Sequence, residues 1–277
     1  MSELEHAVAA HYDVNDLLEK IDAGLATLGV APGEATVETL APVDEFHTAG
    51  RITTLKAIEL SGIAKGARLL DAGSGIGGTA RALAEELDAT VTGIDLTPVY
   101  VETARALSER MGFAERTRFL AGSVTDMPFG DAGFDGAFTF HVGMNVPDRP
   151  AFYSEVARTL KQDGRFCIFD VMKGPGPGMR YPAPWAETEE TSFLKTPDEM
   201  RGFLEAAGFA VETAESLKDF AAEFFRKAFA AAAKADGPPP LGLHLLTGAN
   251  AAEKFQNYAA ALADDQIDPT IMVARKK

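Results

Sequence analysis

The segment Leu69-Leu70-Asp71-Ala72-Gly73-Ser74-Gly75-Ile76-Gly77-Gly78 constrains this chain more than any other. A short apolar run ends in an acid, a glycine-rich turn follows, and a helical pattern runs from Thr79 to Leu87. Residues without a Cβ take positive φ and allow close approach, so strand, glycine turn and helix in that order let a ligand lie against bare main chain. A nucleoside-bearing cofactor is the expected ligand, and two classes compete for it. Gly73, Gly75 and Gly78 satisfy the G-x-G-x-x-G dinucleotide pattern, while Asp71-x-Gly73-x-Gly75-x-Gly77 satisfies an acid-first pattern that goes with S-adenosylmethionine (SAM). Asp71 favours the second. A carboxylate under a pyrophosphate would repel it, whereas SAM has no phosphate and carries an ammonium and a sulfonium. Ser74 completes the turn on the cofactor side.

The next strand pattern, Thr90 to Ile94, ends in Asp95, which is followed by Leu96. Asp95 lies 24 positions beyond Asp71 (95 − 71), the spacing of a βαβ unit. A carboxylate there can accept both ribose hydroxyls of NAD or of SAM alike; the alternative is a solvated cap for the helix beginning at Pro98. Strand and helix patterns then alternate: Arg118 to Ala121, Phe134 to Phe140, helix 149–161, Arg165 to Val171, helix 197–207, Ala210 to Ser216, and a last run Thr270 to Ala274. Alternation of this kind predicts an α/β fold with a doubly wound, Rossmann-like sheet.

The glycine turn, Asp95 and the strand order make residues 65–216 resemble the class I SAM-dependent methyltransferases. Val43 to Gly50 (VDEFHTAG), Tyr181 to Ala186 (YPAPWA), and Ser192 to Pro197 leading into Ala206 to Phe209 resemble the branch that contains sarcosine/dimethylglycine-type N-methyltransferases. The resemblance implies a seven-stranded sheet whose last strand inserts antiparallel between its neighbours. It also implies an N-terminal lid over the methionine end of SAM, with contacts from Tyr12 and from the His47 to Arg51 stretch. Tyr12 as a core aromatic and Arg51 as a solvated cation are the plain alternatives. After the third strand the family usually carries an acid on the adenine amino group; here that position is Ser123, with Asp126 as a substitute or simply a turn residue, and the Val124 backbone on the ring edge. The main chain of Phe140 to Asn145, His141 included, is expected against the methionine moiety.

The residues also nominate chemistry. His141 is a candidate general base, because imidazole titrates near neutral pH unaided; the alternative is an imidazole tied to backbone. Tyr181 and His244 are the further catalytic candidates. The Gly/Pro-rich stretch Gly174 to Trp185 reads as a long loop over the strand ends, with Trp185 as a wall for the acceptor. Helical segments at 217–234 and 250–262 carry Phe220, Phe224, Phe225 and Phe229, a stripe that reads as core or dimer interface, or, through Phe224, as part of a substrate channel. The chain thus divides into a lid (1–64), a SAM-binding core (65–216), a helical cap (217–265) and the last core strand (266–277).

Composition removes other classes. The chain has 277 residues and a formal net charge of −15, with no basic cluster longer than Arg275-Lys276-Lys277, so nucleic acid would be repelled. No leader-like or membrane-length apolar run occurs, and a soluble, cytoplasmic protein is expected, with a homodimer as its candidate assembly. One cysteine, Cys167, excludes an intrachain disulfide, and the five histidines show no ligand spacing, so no metal is expected. The expected activity is methyl transfer from SAM to a small-molecule acceptor, nitrogen favoured. Rivals are a quinone or aromatic C- or O-methyltransferase, an NAD-dependent oxidoreductase and an idle SAM-binding module.

Overall fold

Four apolar runs, Arg68–Ala72 (β1), Thr90–Asp95 (β2), Thr117–Ala121 (β3) and Phe134–Phe140 (β4), form parallel strands. They are joined by helices Gly78–Leu87 (α5) and Pro98–Arg110 (α6) and by the β3–β4 loop. The computed structural model describes residues 2–12, 14, 16–235 and 237–277. Arg149–Thr159 (α7) leads into Leu160–Lys173 (β5), and Pro197–Ala206 (α8) into Phe209–Ser216 (β6). The last strand, Ile267–Lys276 (β7), inserts antiparallel to both β5 and β6, giving the order β3-β2-β1-β4-β5-β7-β6. Successive side chains of the strands point to opposite faces. Leu69, Phe138, Phe169 and Val273 therefore join one buried cluster, and Leu70, Ala137, Ile168 and Met272 the other.

Several boundaries differ from the sequence expectation. β5 begins at Leu160 rather than Arg165 because Leu160 pairs with Phe134 of β4, and β7 runs well beyond Thr270 to Ala274 because it pairs with β5 from Arg165↔Arg275 to Lys173↔Ile267. Tertiary pairing extends strands past their apolar cores. The apolar positions of Glu3 to Lys20 predict one helix there, and the structure has two, Glu3–Tyr12 (α1) and Leu17–Thr27 (α2), with Asp16 left-handed at φ 58°. Asp13 and Asn15, inside that expectation, lie outside the described residues. Val37–Asp44 (α3) was not foreseen, since Pro42 sits within it; Thr36 caps it by accepting from the Thr39 N–H at 3.1 Å. Arg51–Ser61 (α4) follows. The cap region contains Lys218–Ala232 (α9), His244–Thr247 (α10) and Ala251–Ala263 (α11). Among the described residues no helix is long and apolar enough to cross a membrane.

α3 meets α5 so closely that a Cβ on Gly78 would collide with the Asp44 main chain. The fully buried Arg81 fixes this crossing. Its guanidinium donates to Asp44 Oδ1 at 2.8 Å, to the Ile76 carbonyl at 2.8 Å and to Ser108 Oγ at 2.9 Å. Burial pushes the Asp44 carboxyl up to about 6 although the Arg81 charge opposes the shift. One cation thus joins the N-terminal segment to the glycine turn.

Candidate functional site

The carboxyl ends of the parallel strands open on a cleft of about 660 Å³. Its lining follows the sheet order: Ser123 and Val124 after β3, Asp95 and Leu96 at β2, Gly73 and Gly75 after β1, and His141 to Asn145 after β4.

Within the turn the glycines do different work. Gly75, at φ 51°, has open space where a Cβ would stand, and its N–H donates to Asp95 Oδ2 at 2.8 Å. Gly73, at φ 87°, makes room for the Val142 side chain instead. Three residues expected on the cofactor do not line the cleft. Asp71 is buried beneath the turn, Ser74 packs against Gly93, and Gly77 abuts Arg81 and Phe119. They shape the turn, because the chain reverses there and points them inward. Burial pushes the Asp71 carboxyl up to about 8, with the Asp95 and Glu45 charges adding to the rise. Asp95 also titrates above its ordinary range through burial, against the pull of the Thr97 and Gly75 N–H groups.

At the β3 side, Ser123 and Val124 line the cleft and Asp126 does not. The Ser123 hydroxyl is shared with Thr125 Oγ1 at 2.8 Å, and its hydrogen bond to Glu5 is the main cause of a lowered Glu5 pKa. The acid at this end therefore comes from α1, a contact no local pattern could reveal. Tyr12 lines the cleft too; its hydroxyl donates to Asn145 Oδ1 at 2.8 Å and its ring meets Phe46 edge-on. Arg51 is not solvated: it pairs with Glu85 at 2.9 Å, Glu86 at 2.7 Å and Glu38 at 3.3 Å. Its buried Nη1 has no partner, which leaves one guanidinium edge for an anionic group of a ligand.

At β4, His141 is left-handed at φ 54°. Asp170, at the end of β5, holds that corner by accepting from the Val142 N–H at 3.0 Å and the Gly143 N–H at 3.2 Å. The His141 Nε2 reaches only the Thr48 hydroxyl at 3.4 Å and the Thr48 N–H at 3.5 Å. Burial, with His47 nearby, depresses the His141 pKa well below its usual value, so the ring is neutral. Behind it, His47 bridges Glu45 Oε2 at 2.8 Å and Thr53 Oγ1 at 3.2 Å. The sequence reading missed Glu45 and Asp170, although an acid ending an apolar strand, as at Phe169-Asp170-Val171, is a visible signal.

The far wall is aromatic. Trp185 is 2% exposed, donates from Nε1 to Ser192 Oγ at 2.9 Å and meets Tyr258 edge-on at 6.1 Å. Phe224, Phe225 and Phe255 continue that wall, whereas Phe220 and Phe229 face solvent, so the expected stripe is divided. Two expected catalytic residues lie elsewhere. Tyr181 packs on the Trp185 and Tyr258 cluster outside the cleft, and His244 sits half-buried at the start of α10, where its neighbour Leu243 takes the lining position. The Gly174 to Trp185 loop explains Tyr181: Gly174 and Gly176 are pinned to the turn before β7, and only Pro184 and Trp185 reach the cleft.

These residues fit SAM. Gly75 leaves an open cradle of main chain, Asp95 presents a carboxylate beside it, and the unpartnered Arg51 Nη1 suits a carboxylate. Residues 70–168 match the family model described as a methyltransferase domain. Over 170 residues the chain is 32% identical to the O-methyltransferase cnsE of Penicillium expansum, covering 61% of each protein. It is 28% identical over 214 residues to the O-methyltransferase rstn1 of Aspergillus nomiae, covering 76% of this chain and 92% of that one. It is 33% identical over 109 residues to the sterol 24-C-methyltransferase erg6 of Aspergillus fumigatus, covering 39% and 29%. The chain thus spans less than two thirds of cnsE and under a third of erg6. In fold it matches the geranyl diphosphate C-methyltransferase of Streptomyces coelicolor A3(2), with a TM-score of 0.72, 14% identity and coverage of 100% and 99%. It also matches a putative sarcosine dimethylglycine methyltransferase from Galdieria sulphuraria, with a TM-score of 0.65, 18% identity and coverage of 82% and 84%. Over residues 70–168 the chain carries a methyltransferase domain, and with its glycine turn and β7 insertion it is similar to the SAM-dependent methyltransferases.

Proposed function

We propose that this chain methylates a hydroxyl group of a small molecule, with Asp95, Gly75 and Arg51 holding SAM and His141 taking the acceptor proton. One observation carries the choice of oxygen: a neutral imidazole nitrogen faces the cleft with only long contacts of 3.4 and 3.5 Å to Thr48. An alcohol or phenol must lose a proton as it is methylated, and a neutral base within reach serves that need. The nitrogen acceptor expected from the sequence has less support, since a neutral amine attacks without a base. When bound, SAM supplies a methyl group already activated by its sulfonium and leaves as S-adenosylhomocysteine.

The chain's own part is positioning. Asp95 Oδ1 and Oδ2 are themselves fixed by the Thr97 and Gly75 N–H groups, at 2.9 and 2.8 Å, so the ribose-facing carboxylate needs no reorganisation. Asp170 holds the corner that aims His141. Orientation of this sort accounts for about 7–11 kcal/mol of a barrier, and a base adds about 10²–10⁴-fold. The test is calorimetry with SAM followed by mass-spectrometric detection of +CH₂ products from a panel of phenols, alcohols and amines. Methylation of hydroxyls supports the reading; SAM binding with transfer only to amines or carbon overturns the acceptor assignment, and absence of SAM binding overturns it entirely.

A further inference from the structure

We infer that the acceptor is an uncharged, largely apolar molecule with a single polar reacting group, its body held by the aromatic side chains of α9 and α11, and that phosphate- or carboxylate-bearing acceptors are rejected. The inference rests on the methyltransferase reading and adds the substrate class. Apart from the histidines, Arg51 is the only cationic side chain lining the cleft among the described residues; three glutamates hold its Nε and Nη2, and the remaining Nη1 is the group assigned above to SAM. The other ionisable carboxylates on the lining, among them Glu5, Glu45 and exposed Asp148, would repel an anion. Lys254 on α11 gives no help: it does not line the cleft, and its ammonium is committed to Glu187 at 2.6 Å and to the Thr247 carbonyl at 2.9 Å.

The polar groups of the acceptor end are also spoken for. Tyr258 and Thr48 share a hydrogen bond of 2.5 Å. Asn145 donates to the Trp185 carbonyl at 2.8 Å and to the Thr191 carbonyl at 3.0 Å, and it accepts from Tyr12. What remains is His141 in a wall of Trp185, Phe224, Phe225, Phe255 and Leu243. An anionic group placed there would lose its water and gain no partner, while an apolar body gains by burial.

Trp185 is the chain's single tryptophan and lines the cleft, so its emission reports acceptor binding without any turnover. The experiment titrates geraniol, 4-nonylphenol and geranyl diphosphate into the intact protein, with and without saturating S-adenosylhomocysteine. The two neutral probes are expected to shift Trp185 emission saturably, and the diphosphate to bind at least tenfold more weakly than geraniol. Phe255→Arg is expected to narrow or reverse that ratio. Equal or tighter binding of the diphosphate by the unmodified protein overturns the inference, and so does failure of both neutral probes to perturb Trp185. Failure of the methyltransferase reading shows separately, as loss of any response to S-adenosylhomocysteine while the neutral-over-anionic preference persists.

Discussion

The two ends of the cleft are built from different materials. At the end proposed for adenosine, residues at or just past the ends of parallel strands, Gly75, Asp95 and Val124, converge because the sheet aligns their strands. Apart from Glu5, what they offer is mostly main chain and one carboxylate. At the end proposed for the acceptor, Thr48, His141, Trp185, Phe224 and Tyr258 come from five segments spread over some two hundred positions, and they offer side chains. The first end depends on local backbone geometry, and the second on packing between distant elements. Substitutions at one end should therefore leave the other largely untouched.

Gly75→Val puts that separation under the greatest load. A branched side chain at φ 51° is strained and projects into the cradle, so SAM affinity should fall by more than about 100-fold while the far-UV spectrum stays native. Retained cofactor binding by calorimetry would mean that the turn is only a corner of the fold.

His141→Gln should act at the other end, lowering turnover by about 10²–10⁴-fold with SAM affinity changed less than about threefold. Because burial depresses its pKa, the base form persists through neutral pH, and the wild-type rate declines only as pH falls through that depressed value. The acidic limb of the pH–rate profile should vanish in the variant; an unchanged limb removes His141 from proton transfer.

Asp95→Ala removes charge-assisted bonds of about 1.5–3 kcal/mol, a loss of roughly 10- to 150-fold in SAM affinity. It also frees the Gly75 and Thr97 N–H groups, so the loss should be larger than in Asp95→Asn, which keeps an acceptor oxygen. Equal affinity in all three proteins, measured by calorimetry, would take the ribose away from this carboxylate.

Asp71→Asn should give the smallest effect. The folded chain binds the Asp71 proton up to about pH 8, whereas the unfolded chain releases it from about 3.8 upward. In that window the native state holds more protons, so this group's contribution to stability falls as pH rises. Asparagine cannot titrate, and melting temperatures recorded without cofactor from pH 5 to 8.5 should decline less steeply in the variant. Parallel declines would assign the pH dependence to other buried acids, such as Asp44 or Asp170.

The sequence by itself determined the alternation of strands and helices, the glycine turn and the place of Asp95, because each rests on periodicity or on spacing within one βαβ unit; the antiparallel insertion of β7 was implied only by the family resemblance. It assigned Asp71, Ser74 and Gly77 to the ligand only because spacing cannot say which side of a turn a residue faces; a chain reversing over a buried floor turned them inward. The acceptor end was legible only in part. Trp185 stood out as the one large anchor of a Gly/Pro-rich segment, Phe224 only as a member of an aromatic stripe read first as core or dimer interface, and Tyr181 and His244, named beside them, pack outside the cleft. Tertiary structure alone decided that Glu5 reaches Ser123, that three glutamates hold Arg51, that Asp170 aims His141, and that Arg81 ties α3 to the turn. The reason is physical: backbone propensity acts over a few residues, whereas burial pairs a charge or fills a wall with whichever side chain the folded chain brings near.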